Sequence, residues 1–248
     1  MPLLLARGVV ITVSARVRAM PTVELADGPT LRYREWGRPD GAVLLLLHGT
    51  TSDSTTWRHV APGLGEHFRV IALDLRGRAD SEWPDEYSLP LMADDVVKFM
   101  DALGILGAIL VGHSSGALVA FLVATGHPDR LRMLVLEEMP PPDAAKPPLE
   151  LPLGPDPEGR WDWKAVIAIR RWLNAPHPDW WQLANGLRVR TLVVGGTSGP
   201  YDQGRMRDLA NAMPDARFVS LNLGHTPHAE RPSAFLQVVR PFLAPLAK

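Results

Sequence analysis

No cysteine occurs in the 248 residues. That absence removes disulfides, thiolate metal sites, iron–sulfur clusters and cysteine nucleophiles from consideration. An excess of charge is missing as well. Lys and Arg number 26 against 27 Asp and Glu, for a formal net charge of -1, so there is no electrostatic reason to expect nucleic acid or an anionic membrane as a partner. No apolar run reaches the length of a membrane span. The opening MPLLLARGVVITVSARVRAM is apolar but is interrupted by Arg7 and lacks the basic start of a secretory signal. It reads as an extension over residues 1–21, ahead of the folded part, and a cytoplasmic location is expected. What remains is an ordinary globular composition, 46% hydrophobic and 21% charged, in a chain of the size of one large domain.

The apolar pattern alternates between short continuous runs and helical spacings. Val23–Leu25 and Leu31–Trp36 flank a turn at Ala26–Asp27–Gly28 and read as a strand pair. Ala42–Leu47, Phe68–Leu73, Ala108–Val111, Leu131–Leu136, Val189–Val194 and Arg217–Leu221 read as strands, several of them apolar enough to be buried on both faces. Helices are predicted over Trp57–Leu64, Leu89–Leu103, Ala117–Ala124, Arg205–Ala212 and Ala234–Leu243. This rhythm is that of an α/β protein with a mostly parallel sheet. It breaks at Pro140–Gly159, where eight prolines exclude a regular element. Two further helices, Trp161–Leu173 and Pro178–Ala184, follow. The expected organisation is a sheet domain in two parts, 22–138 and 188–248, with a small helical cap inserted at 139–187.

Chemistry concentrates at Gly112–His113–Ser114–Ser115–Gly116, between a strand and a helix. A turn this tight forces its central residue into a strained conformation, while glycines two positions to either side allow backbone to approach closely. Ser114 is thereby lifted above the sheet edge as the candidate nucleophile; Ser115 lacks the central position. The amide of Ser115, opening the helix, faces the place where an oxyanion would form. After the strand Ala42–Leu47, Gly49 permits a close turn and the Thr50 amide can supply a second donor. His48 is read as ordering that loop through a ring N–H. Of eight histidines, His225 alone follows a late strand and a glycine and precedes the last helix, as a base at the sheet's carboxyl edge should. His228 is the second candidate, with packing or a loop hydrogen bond as its plainer role. No third ligand stands near these two in sequence, so no metal is expected, and no cofactor.

Taken in order, Leu47–His48–Gly49, Asp74–Leu75–Arg76–Gly77–Arg78 with Ser81, the Gly112–Gly116 elbow, His127–Pro128–Asp129–Arg130, and Gly224–His225 with Glu230, Pro232 and Phe235 resemble the α/β-hydrolase superfamily over roughly residues 22–245. The resemblance implies an α/β-hydrolase fold, with an eight-stranded, mostly parallel sheet flanked by helices, a helical cap, and a nucleophile–acid–histidine triad. On it, His48 holds the oxyanion loop and Arg76–Gly77 shapes the turn behind the site. The chain departs from the pattern at one point. The family's usual acid position, after the strand ending at Val194, falls on Gly199. Some members carry the acid one strand earlier, where Glu138 stands, and Glu138 is preferred here. Asp202, folding back, and Glu137 remain alternatives, as does a Ser–His pair with no acid. Consecutive strand side chains point opposite ways, so only one of Glu137 and Glu138 can face His225.

Haloalkane dehalogenases and epoxide hydrolases of this superfamily use an aspartate where this chain has Ser114. Serine with a histidine base implies acyl transfer to water. The expected function is cleavage of small, apolar or aromatic carboxylic esters. A lactone or a carbon–carbon bond beside a carbonyl is the alternative substrate, and a ligand-binding receptor without catalysis is the alternative class. The insertion holds five of the eight tryptophans, Trp161, Trp163, Trp172, Trp180 and Trp181. Some are expected to pack the cap down and others to line an apolar pocket. Arg160, Lys164 and Arg171 share a helix face read mainly as solvated.

Overall fold

The computed structural model describes residues 20–139, 141, 146–175 and 177–247; the expected extension lies, but for its last two residues, outside them. Its strands are β1 (Thr22–Glu24), β2 (Thr30–Gly37), β3 (Ala42–Leu47), β4 (Phe68–Asp74), β5 (Ala108–His113), β6 (Leu131–Glu137), β7 (Thr191–Gly196) and β8 (Ala216–Leu221). The helices are α1 (Ala61–Gly65), α2 (Leu89–Ala102), α3 (Ser115–Gly126), α4 (Trp163–Asn174), α5 (Trp180–Gly186), α6 (Gln203–Ala212), α7 (Pro227–Glu230) and α8 (Pro232–Leu243). The strands form one sheet in the order β1-β2-β4-β3-β5-β6-β7-β8. β2 runs antiparallel to β1 and β4, and β3 to β8 are parallel throughout.

The two-residue period of the central strands sorts their side chains onto two layers. Leu45, Leu47, Leu110, Leu134 and Leu136 pack with α2 and α3 on one face. Leu44, Leu46, Ile109, Val111 and Val135 pack with Trp57, Leu64, Phe235 and Val239 on the other. This two-sided burial explains the unbroken apolar runs. The helix expected over Trp57–Leu64 is instead a 3-10 turn, Ser54–His59, followed by α1; Pro62 marks the start of the second piece. None of the described helices is long and apolar enough to cross a membrane.

Between β6 and β7 the chain leaves the sheet and adds α4 and α5 as a helical cap. Trp180 is its anchor, 2% exposed, with its ring 4.3 Å from that of Phe121 in α3 and 5.6 Å from that of Trp172. The expectation that some cap tryptophans line a pocket is corrected by this packing, because the hollow beneath the cap, lined by Ser114 and His225, contains none of the five. Its apolar wall comes from Met139, Pro148, Leu149, Ile169 and Leu173. Trp181 is 41% exposed and turned to solvent.

Candidate active site

Ser114 links β5 to α3 at φ 53 and ψ -118, a conformation that side chains other than glycine rarely adopt. The neighbouring glycines are required by contact distances. A Cβ on Gly112 would lie 2.4 Å from the Gly116 carbonyl oxygen, and one on Gly116 would lie 2.4 Å from that of Leu47. The turn is held from beneath by the Ser114 N–H, which donates to the Glu137 carbonyl at 2.9 Å. Ser114 lines a hollow of about 750 Å³, together with Thr50, Tyr201, His225 and the cap residues named above. Ser115 is 4% exposed and opens α3.

His225 stands in the loop between β8 and α7. Its Nδ1 is 3.1 Å from Glu138 Oε2, while Glu138 Oε1 accepts the Gly196 N–H at 2.6 Å. Glu138 is 0% exposed and has φ 51. The positive φ turns the chain off β6, yet its N–H still donates to the Val194 carbonyl at 2.8 Å. Both carboxylate oxygens are therefore occupied, one by the base and one by backbone. The position of Gly199 is now intelligible, since a Cβ there would lie 2.6 Å from Glu138 Oε2. The two possible acid positions converge on one space, and a side chain at residue 199 would displace the carboxylate at residue 138. Asp202 does not reach the histidine; its Oδ1 accepts the Arg205 N–H at 2.8 Å and caps α6.

Glu137 points the other way and forms a second acid–histidine pair. Its Oε1 accepts the His228 N–H at 2.8 Å and its Oε2 faces His228 Nδ1 at 2.7 Å. His228 Nε2 is 2.7 Å from Thr56 Oγ1, and the ring stacks on Trp57 at 4.1 Å. Glu137 and His228 are both 0% exposed, so the pair ties the base loop to β6 and to the turn that follows the oxyanion loop. A buried carboxylate oxygen is costly to leave without a hydrogen-bond donor. His228→Phe keeps a ring on Trp57 and the backbone N–H on Oε1 but takes the partner from Oε2, and we expect a loss of about 3 kcal/mol in urea unfolding. A loss below about 1 kcal/mol would show that water reaches Glu137.

His48 is buried beneath the loop that follows β3. Its Nδ1 lies 2.8 Å from the Gly49 carbonyl and its Nε2 accepts the Leu75 N–H at 3.1 Å. This arrangement requires a neutral ring with the proton on Nδ1. The peptide between Gly49 and Thr50, two residues that line the hollow, is thereby held through its carbonyl. Burial lowers the His48 pKa to about 4 from an ordinary 6.5. A histidine with a depressed folded pKa binds its proton more readily when unfolded. Its contribution to stability is thus complete above pH 6.5 and is lost as the pH falls toward 4. The expected loss is on the order of 3 kcal/mol. Urea unfolding at pH 7 and pH 4.5 should show a smaller difference in His48→Asn than in the original protein; an equal difference would refute this account. Burial also pushes His113 well below its ordinary range, and its Nε2 is held by the His225 carbonyl at 2.8 Å.

Further side chains support the site, not all of them legible in the sequence. Arg78 is buried, its Nε donates to the Thr50 carbonyl at 2.7 Å, and burial brings its pKa down to about 10. Arg76, expected to shape the turn behind the site, makes a buried ion pair with Asp95 in α2 at 2.5 Å. Tyr201 packs its ring 5.2 Å from that of His225 and lines the hollow with Ser114; burial raises its pKa, and the serine partly offsets that rise. Glu230 brackets the base, accepting the N–H groups of Gly224 at 2.8 Å and Thr226 at 3.0 Å, which hold its carboxyl below the usual range. The Gly224–Glu230 spacing was a usable signal for that last residue. The partners of Arg78 and Tyr201 lie far off in the chain and left no such signal.

Residues 42–162 match the family model described as alpha/beta hydrolase fold. The chain is 32% identical over 135 residues to bifunctional epoxide hydrolase 2 of Rattus norvegicus, covering 52% of this chain and 24% of that protein. It thus spans about a quarter of the length of that relative. Among solved structures, an enol-lactonase from Burkholderia xenovorans superposes with a TM-score of 0.78 at 26% identity, covering 90% of this chain and 100% of the other. A thermophilic esterase from Thermogutta terrifontis superposes with a TM-score of 0.76 at 25% identity, covering 92% and 100%.

Proposed function

We propose that this chain, which belongs to the α/β-hydrolase superfamily and carries its serine-hydrolase chemistry, cleaves small carboxylic esters through an acyl-enzyme on Ser114. The observation that carries the reading is the His225–Glu138 pair at 3.1 Å, set in one hollow with a serine at the strained elbow. Glu138 holds the proton on Nδ1, which leaves Nε2 to take the proton of the Ser114 hydroxyl as Oγ attacks the ester carbonyl. Negative charge then develops on the carbonyl oxygen. The N–H groups of Thr50 and Ser115 are the donors for it, the first oriented by His48 and the second opening α3. His225 returns the proton to the leaving alcohol, and water repeats the sequence on the acyl-enzyme.

The nucleophile separates this reading from the chemistry in the name of the rat relative. Epoxide hydrolases of this superfamily use aspartate, and the corresponding position here is Ser114. A lactone is a cyclic ester and is the second reading, favoured by the likeness to the enol-lactonase. A panel of linear esters, lactones and a β-diketone, followed by acid release at constant pH, tests the assignment. Hydrolysis of linear esters at the highest kcat/KM supports it. Turnover of the lactones alone, or of the diketone alone, replaces it with one of the other hydrolases, and binding without any turnover replaces it with a receptor.

A further inference from the structure

The cap's cations fall into two groups that differ in what holds them. On its outer side Lys164 pairs with Asp85 at 3.2 Å, and Arg160 with Asp80 at 3.2 Å and Asp53 at 3.6 Å, while Arg171 is simply exposed to solvent. Lys146 and Arg170 line the active-site hollow and have none among the described residues. Backbone carbonyls hold them instead. Lys146 Nζ donates to the Pro200 carbonyl at 3.4 Å, and Arg170 Nη1 donates to the Glu150 carbonyl. A carbonyl fixes the place of a cation without neutralising it. Each side chain also keeps donors in hand, because an ammonium has three N–H groups and a guanidinium five.

The acidic side chains of the hollow do not supply the missing charge. Glu138 is fully engaged by His225 and the Gly196 N–H, and Asp202 is engaged at the start of α6. With Arg205, the lining carries three cations against these two carboxylates, a net positive hollow inside a chain of net charge -1. The excess also lies close to the reacting centre. Lys146 Nζ is 5.4 Å from the centre of the Tyr201 ring, which in turn lies 5.2 Å from that of His225 and lines the hollow with Ser114. The apolar lining of Met139, Leu149, Ile169 and Leu173 lowers the local dielectric and strengthens attraction for an anion.

We propose that the substrate carries a carboxylate a short carbon chain away from the ester carbonyl, and that Lys146 and Arg170 bind it. The inference rests on the ester-hydrolase reading and narrows its substrate class. Arg170 offers a planar fork matched to a carboxylate, while Lys146 acts as a point charge beside the Tyr201 ring.

Two anionic esters place the carboxylate on either side of the scissile bond: monomethyl glutarate on the acyl side and 4-acetoxybutanoate on the alcohol side. Methyl pentanoate and butyl acetate are their neutral counterparts. At least one anionic ester is expected to exceed its counterpart in kcat/KM by about tenfold or more at low salt, with the ratio falling as salt screens the charges. Lys146→Gln and Arg170→Gln should each lower that ratio by about tenfold, whereas Lys164→Gln on the outer face should leave it unchanged. Ratios near one for both pairs, with all four esters hydrolysed, would overturn the carboxylate subsite and leave the esterase standing. If none of the four is hydrolysed, the esterase reading falls, and calorimetry with glutarate decides the subsite separately. Binding that weakens in Lys146→Gln upholds it, and absence of binding overturns it.

Discussion

Ser114→Ala is expected to lower turnover of a short p-nitrophenyl ester by about 10⁴- to 10⁶-fold, in protein that remains folded. The size follows from what is lost. Without Oγ there is no covalent intermediate, and the residual rate comes only from the oxyanion donors and from binding. Folding should survive because the hydroxyl is turned into the hollow and the methyl group of alanine can occupy the same elbow. Some strain at φ 53 remains with either residue. Intact-protein mass after treatment with a fluorophosphonate should show one adduct, mapped to Ser114 and absent from the alanine variant. The neighbouring Ser115 gives the contrasting case: it is 4% exposed at the start of α3, and Ser115→Ala should keep both the adduct and most of the turnover. An adduct on Ser115, or turnover unaffected by Ser114→Ala, would move the nucleophile or remove it.

Glu138→Gln is expected to cost roughly 10²–10⁴-fold in kcat, with a much smaller change in KM. The amide can still accept the Gly196 N–H, so the backbone around residue 138 should persist. What changes is the group facing His225 Nδ1. If its NH₂ faces the ring, it prefers the imidazole with Nδ1 unprotonated and Nε2 carrying the proton, which cannot accept the serine hydrogen. An amide also provides no negative charge to stabilise the imidazolium formed during attack. Asp202→Asn is the control, because that carboxylate caps α6 and should affect turnover less than about tenfold while modestly lowering stability. A reversed outcome, with Asp202→Asn inactive and folded and Glu138→Gln near the original rate, would place the acid on the wrong strand. A reciprocal test uses Gly199→Asp. The new side chain would enter the space of Glu138 Oε2, so in the otherwise unchanged protein it should impair activity. Combined with Glu138→Gly, it offers the carboxylate from the other strand.

The parts of this molecule that were readable in sequence are those governed by local rules. The two-sided burial of β3 and β5 shows as unbroken apolar runs, and that of β4 as a run broken only by Arg69, because a parallel strand covered on both faces has no polar side. The elbow shows as Gly112 and Gly116, because no Cβ fits at either place. The departure at Gly199 is visible as a residue too small for its expected task, and alternation along β6 limits the replacement to one of two adjacent glutamates. Which of them meets His225 depends on the turn at Glu138, where a positive φ throws the carboxylate above the sheet edge while Glu137 stays beneath it. Tertiary structure alone gives Glu137 its partner, since His228 is 91 residues away in sequence. It also turns the cap tryptophans into packing, so that the cap faces the hollow mainly with proline, aliphatic and cationic side chains. Helix and strand periods report which side of an element is buried, but they carry no information about which distant side chain shares that space. Charge neutralisation and hydrogen-bond pairing are settled only when the sheet brings such residues within a few ångströms of one another.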